Sequence, residues 1–211
     1  RLIQSAASNG YDVLIFGDYH IAPVRCAVTP NVLLRKAGLL TVRHIKKMAY
    51  PDFFASRAFA MADHEIAHVY IPDRNDISAV KNLLESLPGI AAVLDGEAQA
   101  AVHLHHKNSG ELVLVAEPGN WLAYPWWTEK GEAPDFASHV DIHNKPGYDP
   151  CELFFGWPPG SVSQNTNRIH GSHGRVGPER HVTWASTFKA PGNPANLIEL
   201  AAMVRHWLDE Q

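Results

Sequence analysis

Cysteine is almost missing from this chain: two in 211 residues, Cys26 and Cys151. They lie far apart and match neither a zinc nor a redox spacing, so reduced structural thiols are expected rather than a disulfide. That points toward a cytoplasmic setting and leaves localisation open. An excess of basic charge is missing too. Eighteen Lys and Arg stand against 22 Asp and Glu, a formal net charge of −4, which provides no field for holding a nucleic acid polymer. No apolar run approaches the roughly 18 to 20 residues that span a bilayer; the longest, such as residues 13–16 and 112–116, are strand length. A G-x-S-x-G elbow, a P-loop and a dinucleotide fingerprint are all absent. Residue 1 is Arg rather than Met, and Leu2, Ile3 and Ala6 share a helical face that Asn9-Gly10 would stop. The expectation is a chain that begins inside a longer protein, so the lack of a leader says nothing about export.

What is present is ordinary globular material, 45% hydrophobic and 19% charged, enough to bury a core. Residues 11–16 read as a buried parallel strand that delivers Gly17-Asp18 at its C-terminal end, where active sites of open α/β sheets lie. Residues 30–37 read as a helix closed by Gly38, with a strand over 39–42. A strand over 66–71 is followed by a helix from Asp76, its cap, to Leu87, with Ile77, Val80, Leu83, Leu84 and Leu87 on one face. A strand over 90–94, a short helix over 97–103, a turn at Asn108-Ser109-Gly110 and a strand over 111–116 complete a βαβ-type lobe. The aromatic run 121–127 reads as core or interface. Residues 129–178 are rich in Pro, Gly, His and Asn without periodicity, and loops of that length are commonly functional. A strand over 182–188 and a helix over 196–209, with Leu197, Leu200, Ala201, Val204 and Leu208 as its apolar stripe, end the chain.

Thirteen histidines are a large share, and several sit in loops beside Asp and Gly. Asp18-Tyr19-His20 follows the first strand. In extended chain, side chains two apart share a face, so Asp18 and His20 could reach one cation. Alternatively Asp18 caps a turn and His20 bonds nearby backbone. In His170-Gly171-Ser172-His173-Gly174 the glycines would let the backbone bring an imidazole close to an ion or anion. Residues 140–150 place Asp141 and His143 two apart, Lys145 where it could meet a phosphate, and Asp149 before a proline. The turn dipeptides there favour a bracing role over direct chemistry. His103, His105 and His106, and separately Asp63-His64-Glu65 with His68, are weaker candidates at a helix end and beside a strand.

In order, AHVYI at 67–71, APDFASHVDIHNKPGYDPCELF at 133–154 and the late HGSHG resemble the type I phosphodiesterase and nucleotide pyrophosphatase branch of the alkaline phosphatase superfamily. The resemblance implies an α/β fold: an alkaline-phosphatase-like sheet flanked by helices, incomplete at its N-terminus, with a small α+β cap lobe. Residues 1–60 would belong to the main domain, 61–128 to the cap, and 129–211 to the main domain again. It implies a metal-dependent phosphohydrolase acting on a small-molecule phosphate ester, diester or phosphonate. Two divalent ions, zinc first and manganese or iron as alternatives, would stand beside a Thr or Ser nucleophile found earlier in the family than any residue here. Asp18 matches the Asp of the family's Asp-His pair and would bind the metal that activates the nucleophile. His173 matches the late His and would bind the other metal, leaving His170 to face solvent or brace its loop. Tyr19 stands where the pair's His is expected, and His20 where the family has glycine. Either His20 takes over as ligand or Tyr19 lines an altered site. Tyr19, Asp141, His143, Lys145 and Asp149 are the candidates for supporting or substrate-facing positions. The competing reading is a scaffold that has lost its chemistry and serves as a binding protein.

Overall fold

A computed structural model describes residues 1–138, 154–155, 162–163 and 165–210. Along the chain come α1 (Leu2–Ser8), β1 (Leu14–Phe16), β2 (Ala22–Pro23), β3 (Cys26–Val28), α2 (Pro30–Lys36), β4 (Val42–Ile45) and β5 (Met48–Pro51). Then follow β6 (Phe59–Asp63), β7 (Ile66–Tyr70), α3 (Ile77–Glu85), β8 (Ile90–Leu94), α4 (Gly96–Ala101), β9 (Leu112–Ala116) and β10 (Asn120–Leu122). Short β11 (Phe154–Phe155), β12 (Val162–Ser163) and β13 (Gly171–Ser172), then β14 (Trp184–Ser186) and α5 (Leu197–Asp209), complete a mixed α/β chain. It divides into two compact units, one of Arg1–His20 with Gly177–Gln211 and one of Ile21–Val176. No helix among the described residues is long and apolar enough to cross a membrane.

In the first unit, β1 pairs with β14, Leu14 opposite Ser186 and Phe16 opposite Trp184, and the pairing is antiparallel. Residues 11–16 were expected to form a buried parallel strand. A three-residue apolar run does not encode the direction of its partner, and here Ile15 and Phe16 are each 50% exposed. Helix α5 starts where Asn196 accepts the Glu199 amide at 2.9 Å, a side-chain cap worth about 1 kcal/mol. Its buried stripe is Leu200 and Met203, extended by Trp207 stacked on Phe188 with ring centroids 4.1 Å apart. This stripe is rotated from the expected one, because the indole ring of Trp207 outbids Ala201 and Leu208, which stay exposed.

The second unit is built on a four-stranded antiparallel sheet in the order β6-β7-β9-β8. Strands β7 and β8 both run antiparallel to β9, so they are parallel to each other with β9 inserted between them. The expected βαβ lobe is therefore a split one, β7-α3-β8, completed by the later β9. Val80 and Leu84 of α3 are fully buried, with Ile77, Leu83 and Leu87 packed beside the same core. That matches the expected face. Asp76 does not cap α3 through its side chain as expected. Its carboxylate binds the Arg57 guanidinium instead, and the entry turn Arg74–Asp76 is capped by Asp73, which accepts the Asn75 amide at 2.9 Å.

The aromatic run is core, as its composition suggests. Trp121 and Trp126 are 2% and 1% exposed. The Trp126 indole donates to the Ala49 carbonyl at 2.9 Å, which satisfies its one buried polar group. Helix α2 ends at Gly38, whose φ of +72° suits glycine. The strand expected over 39–42 begins only at Val42, because the Leu39 and Leu40 amides are still bonded to the Leu34 carbonyl as the helix closes. Strand β6 sits at a sheet edge, and its outward Ala60 amide and carbonyl are taken by the fully buried Asn31 side chain of α2. One amide side chain thus stands in for a neighbouring strand.

Candidate functional site

Asp18, Tyr19 and His20 belong to the first unit, and His173 to the second. The β1 pairing stops at Phe16, followed by one further bond from the Gly17 amide to the Thr183 carbonyl. Asp18 comes at a bend beyond it, exposed, with Oδ1 accepting the Tyr19 amide at 3.0 Å. It does not end a buried strand as the sequence suggested, for the same reason that β1 itself is not buried. Tyr19 is exposed and His20 half-buried. Asp141, His143, Lys145 and Asp149 lie outside the described residues, as does Cys151; Cys26 is a free, exposed thiol.

The surroundings of His173 are built from the opposite side of its unit. Strands β6 and β7 are joined by a two-residue turn, His64-Glu65, with Asp63 paired to Ile66. His64 takes a φ of +62°, a left-handed conformation that costs a histidine something on the order of 1 kcal/mol and persists only where the surroundings fix it. They do so here. Nδ1 of His64 lies 2.7 Å from Asp63 Oδ1, and since a carboxylate only accepts, Nδ1 carries the proton. The His64 carbonyl accepts the Leu122 amide at 2.6 Å, and the Glu65 carbonyl accepts the Ala116 amide at 2.9 Å. The bond from His64 holds the Asp63 carboxyl below the ordinary carboxylate range; partial burial opposes this, and the nearby His64, His173 and His68 rings add to it.

This turn grips the HGSHG loop. Gly171 and Ser172 pair with Pro23 and Ala22. The His173 carbonyl accepts the Glu65 amide at 2.8 Å, and the fully buried Glu65 carboxylate accepts the Arg175 amide at 3.1 Å. Just ahead of those two bonds the His173 ring lies on the His64 ring, centroids 3.9 Å apart and planes 32° apart. Gly174 has a φ of +120°, a backbone conformation that calls for glycine, while a Cβ there would make only ordinary contact with Glu65. His170 is exposed and serves through its carbonyl, which accepts the Val24 amide at 3.0 Å. His68 is turned to a different task. Its Nδ1 accepts the Gly110 amide at 3.1 Å, and burial favours its neutral form.

From the sequence, Asp63-His64-Glu65 reads only as residues that flank a strand. IAHVY alone reads as a strand; FAMAD ahead of it carries little strand preference, and His64-Glu65 is not a favoured hairpin dipeptide, so the turn leaves no clear sequence signal. Nothing local points from that turn to His173, 109 positions later. As for metal, Asp18, His20 and His173 have donor chemistry suited to zinc or manganese. Among the described residues no group of three or more His, Cys, Asp or Glu stands together as a metal site. These residues fit the role of individual ligands and do not by themselves complete a centre.

Among solved structures the chain is similar to phosphonoacetate hydrolase from Sinorhizobium meliloti 1021 in complex with phosphonoformate, at 19% identity and a TM-score of 0.40, over 84% of this chain and 39% of that one. It is similar to murine ectonucleotide pyrophosphatase/phosphodiesterase 5, at 12% identity and a TM-score of 0.44, over 90% of this chain and 38% of that one. For the human counterpart the values are 14% and 0.40, over 57% and 29%. The chain thus spans 39% or less of the length of these structures. No curated protein matches it. The family model described as type I phosphodiesterase / nucleotide pyrophosphatase matches residues 1–149 of the 211, and the chain belongs to that family.

Proposed function

We propose that this chain is part of a metal-dependent phosphohydrolase that cleaves a small-molecule phosphate ester, diester or phosphonate through a covalent phospho-enzyme. The observation that carries the reading is the family match over residues 1–149, which takes in Asp18, Asp141, His143, Lys145 and Asp149. Asp18 is the ligand assigned to the ion that activates the nucleophile, with His20 taking the imidazole role that Tyr19 cannot fill. His173 is the ligand assigned to the second ion. The nucleophile and the remaining ligands are assigned to a part of the family's chain that precedes this stretch. When bound, two divalent ions would activate the attacking oxygen and offset the charge on the phosphoryl group. The chain's own contribution is to hold its donors: Asp18 as an exposed carboxylate, His173 as an imidazole on a loop fixed at both ends.

The full-length protein should contain stoichiometric zinc or manganese and hydrolyse a generic aryl phosphate ester or diester. Metal-free protein inert on both would favour the scaffold reading that Tyr19 suggests.

A further inference from the structure

We propose that the Asp63-His64-Glu65 turn is a positioning device for His173, with His64 setting the plane of its imidazole and Glu65 fixing the backbone that leaves it. The proposal deepens the reading of His173 as a metal ligand and rests on that reading for its purpose. Its physical content is independent of metal.

Three observations converge on the turn. First, the two Glu65 bonds fix the backbone immediately after His173, since its amide takes the carbonyl of His173 and its carboxylate takes the amide of Arg175, with Gly174 between them. A fully buried carboxylate is costly to place, and here it accepts the main-chain amide of Arg175. Second, the left-handed His64 brings its ring over His173 at 3.9 Å between centroids, and the 2.7 Å contact with Asp63 fixes the rotation of that ring. Glycine or asparagine would suit the turn backbone better than histidine. Histidine at this position is therefore explained by its ring, not by its backbone. Third, the turn is itself held by the Leu122 and Ala116 amides, so it is tied to β9 and to the aromatic segment rather than to the loop alone. A ligand that must meet an ion within a few tenths of an ångström needs such support, since loosely held ligands cost affinity.

A structural role alone would make any change at His64 or Glu65 act through stability. A positioning role separates the two. His64→Gly keeps the turn, because glycine accepts the left-handed φ, while removing the ring that covers His173; His64→Asn serves the same purpose if the glycine variant proves too loose. Glu65→Gln retains an acceptor for the Arg175 amide, whereas Glu65→Ala does not.

The test uses full-length, metal-free protein with labelled histidine, read by NMR for the His173 ring and by amide hydrogen exchange at Arg175, with the thermal midpoint as control. His64→Gly should leave the midpoint equal or higher and shift and broaden the His173 ring signals. Glu65→Ala should raise exchange at Arg175 by about tenfold or more, and Glu65→Gln should restore most of the protection. Unchanged His173 signals in His64→Gly, or equal protection in Glu65→Ala and the parent, would overturn the proposal. Zinc titration of the same variants is read separately. Loss of ring order with no zinc binding even in the parent would leave the positioning intact and defeat the metal-ligand reading instead.

Discussion

Replacing Asn31 by Ala should destabilise the chain more than any exposed substitution, and the cost can be worked bond by bond. Asn31 is fully buried on α2. Its Nδ2 donates to the Ala60 carbonyl at 2.7 Å and to the Tyr124 carbonyl at 3.3 Å, while Oδ1 accepts the Ala60 amide at 2.8 Å. Alanine removes all three and admits no neighbouring strand to replace them. Each buried backbone group left unpaired costs about 1–3 kcal/mol. Counting the two short bonds to Ala60 fully and the long one lightly, the loss is about 2–6 kcal/mol. Leucine should do no better, since an apolar side chain of similar size leaves the same groups bare. Urea unfolding of the parent, Asn31→Ala and Asn31→Leu, read as free energies, tests this. A loss under about 1 kcal/mol in both variants would show that the β6 edge does not depend on this amide. The consequence for function is direct, because β6 carries Asp63 and leads into the turn that holds the His173 loop.

Other outcomes follow from single contacts. Arg35 meets both Glu132 carboxylate oxygens, at 2.8 and 2.9 Å, and with the Thr128 and His44 bonds this leaves the Glu132 carboxyl at about 2 against an ordinary 4.5, although burial opposes the shift. A depressed folded pKa means that the pair's stabilisation is full above 4.5 and is lost as pH falls from there through about 2. The urea midpoint of the parent should therefore drop across that window more steeply than that of Glu132→Gln, and parallel acid limbs would refute the assignment. Gly174→Ala should cost about 1–2 kcal/mol, from the φ of +120°. A thermal midpoint equal to that of the parent would count against the described loop conformation.

Much of the fold was legible where a periodic face and its cap agree. Helices α3 and α5 were readable from their apolar spacing, and α5 also from Asn196; β7, β8 and β9 were readable as short apolar runs between turn signals. Strand β6 was not, because two alanines in FAMAD carry little strand preference. Its pairing with β7 decides the sheet edge. The direction of β1 was misjudged because three residues cannot report whether the partner runs parallel. Asp76 was misjudged because a capping position and an ion pair with Arg57, 19 residues away, compete for one carboxylate. At the candidate site, Asp18, His20 and His173 were visible as residue types in loops. The link between His173 and the His64-Glu65 turn was not, since contacts across 108 or more positions leave no mark in local pattern.

The central claim, that this chain supplies His173 as a metal ligand, is met most directly by one comparison: bound zinc per protein in full-length His173→Ala and His170→Ala. His173→Ala should lose one ion and most hydrolytic activity, since a missing ligand leaves its centre incomplete. His170→Ala should retain both, because His170 is exposed and serves through its backbone carbonyl. Equal loss from the two variants, or loss from His170→Ala alone, would contradict the account.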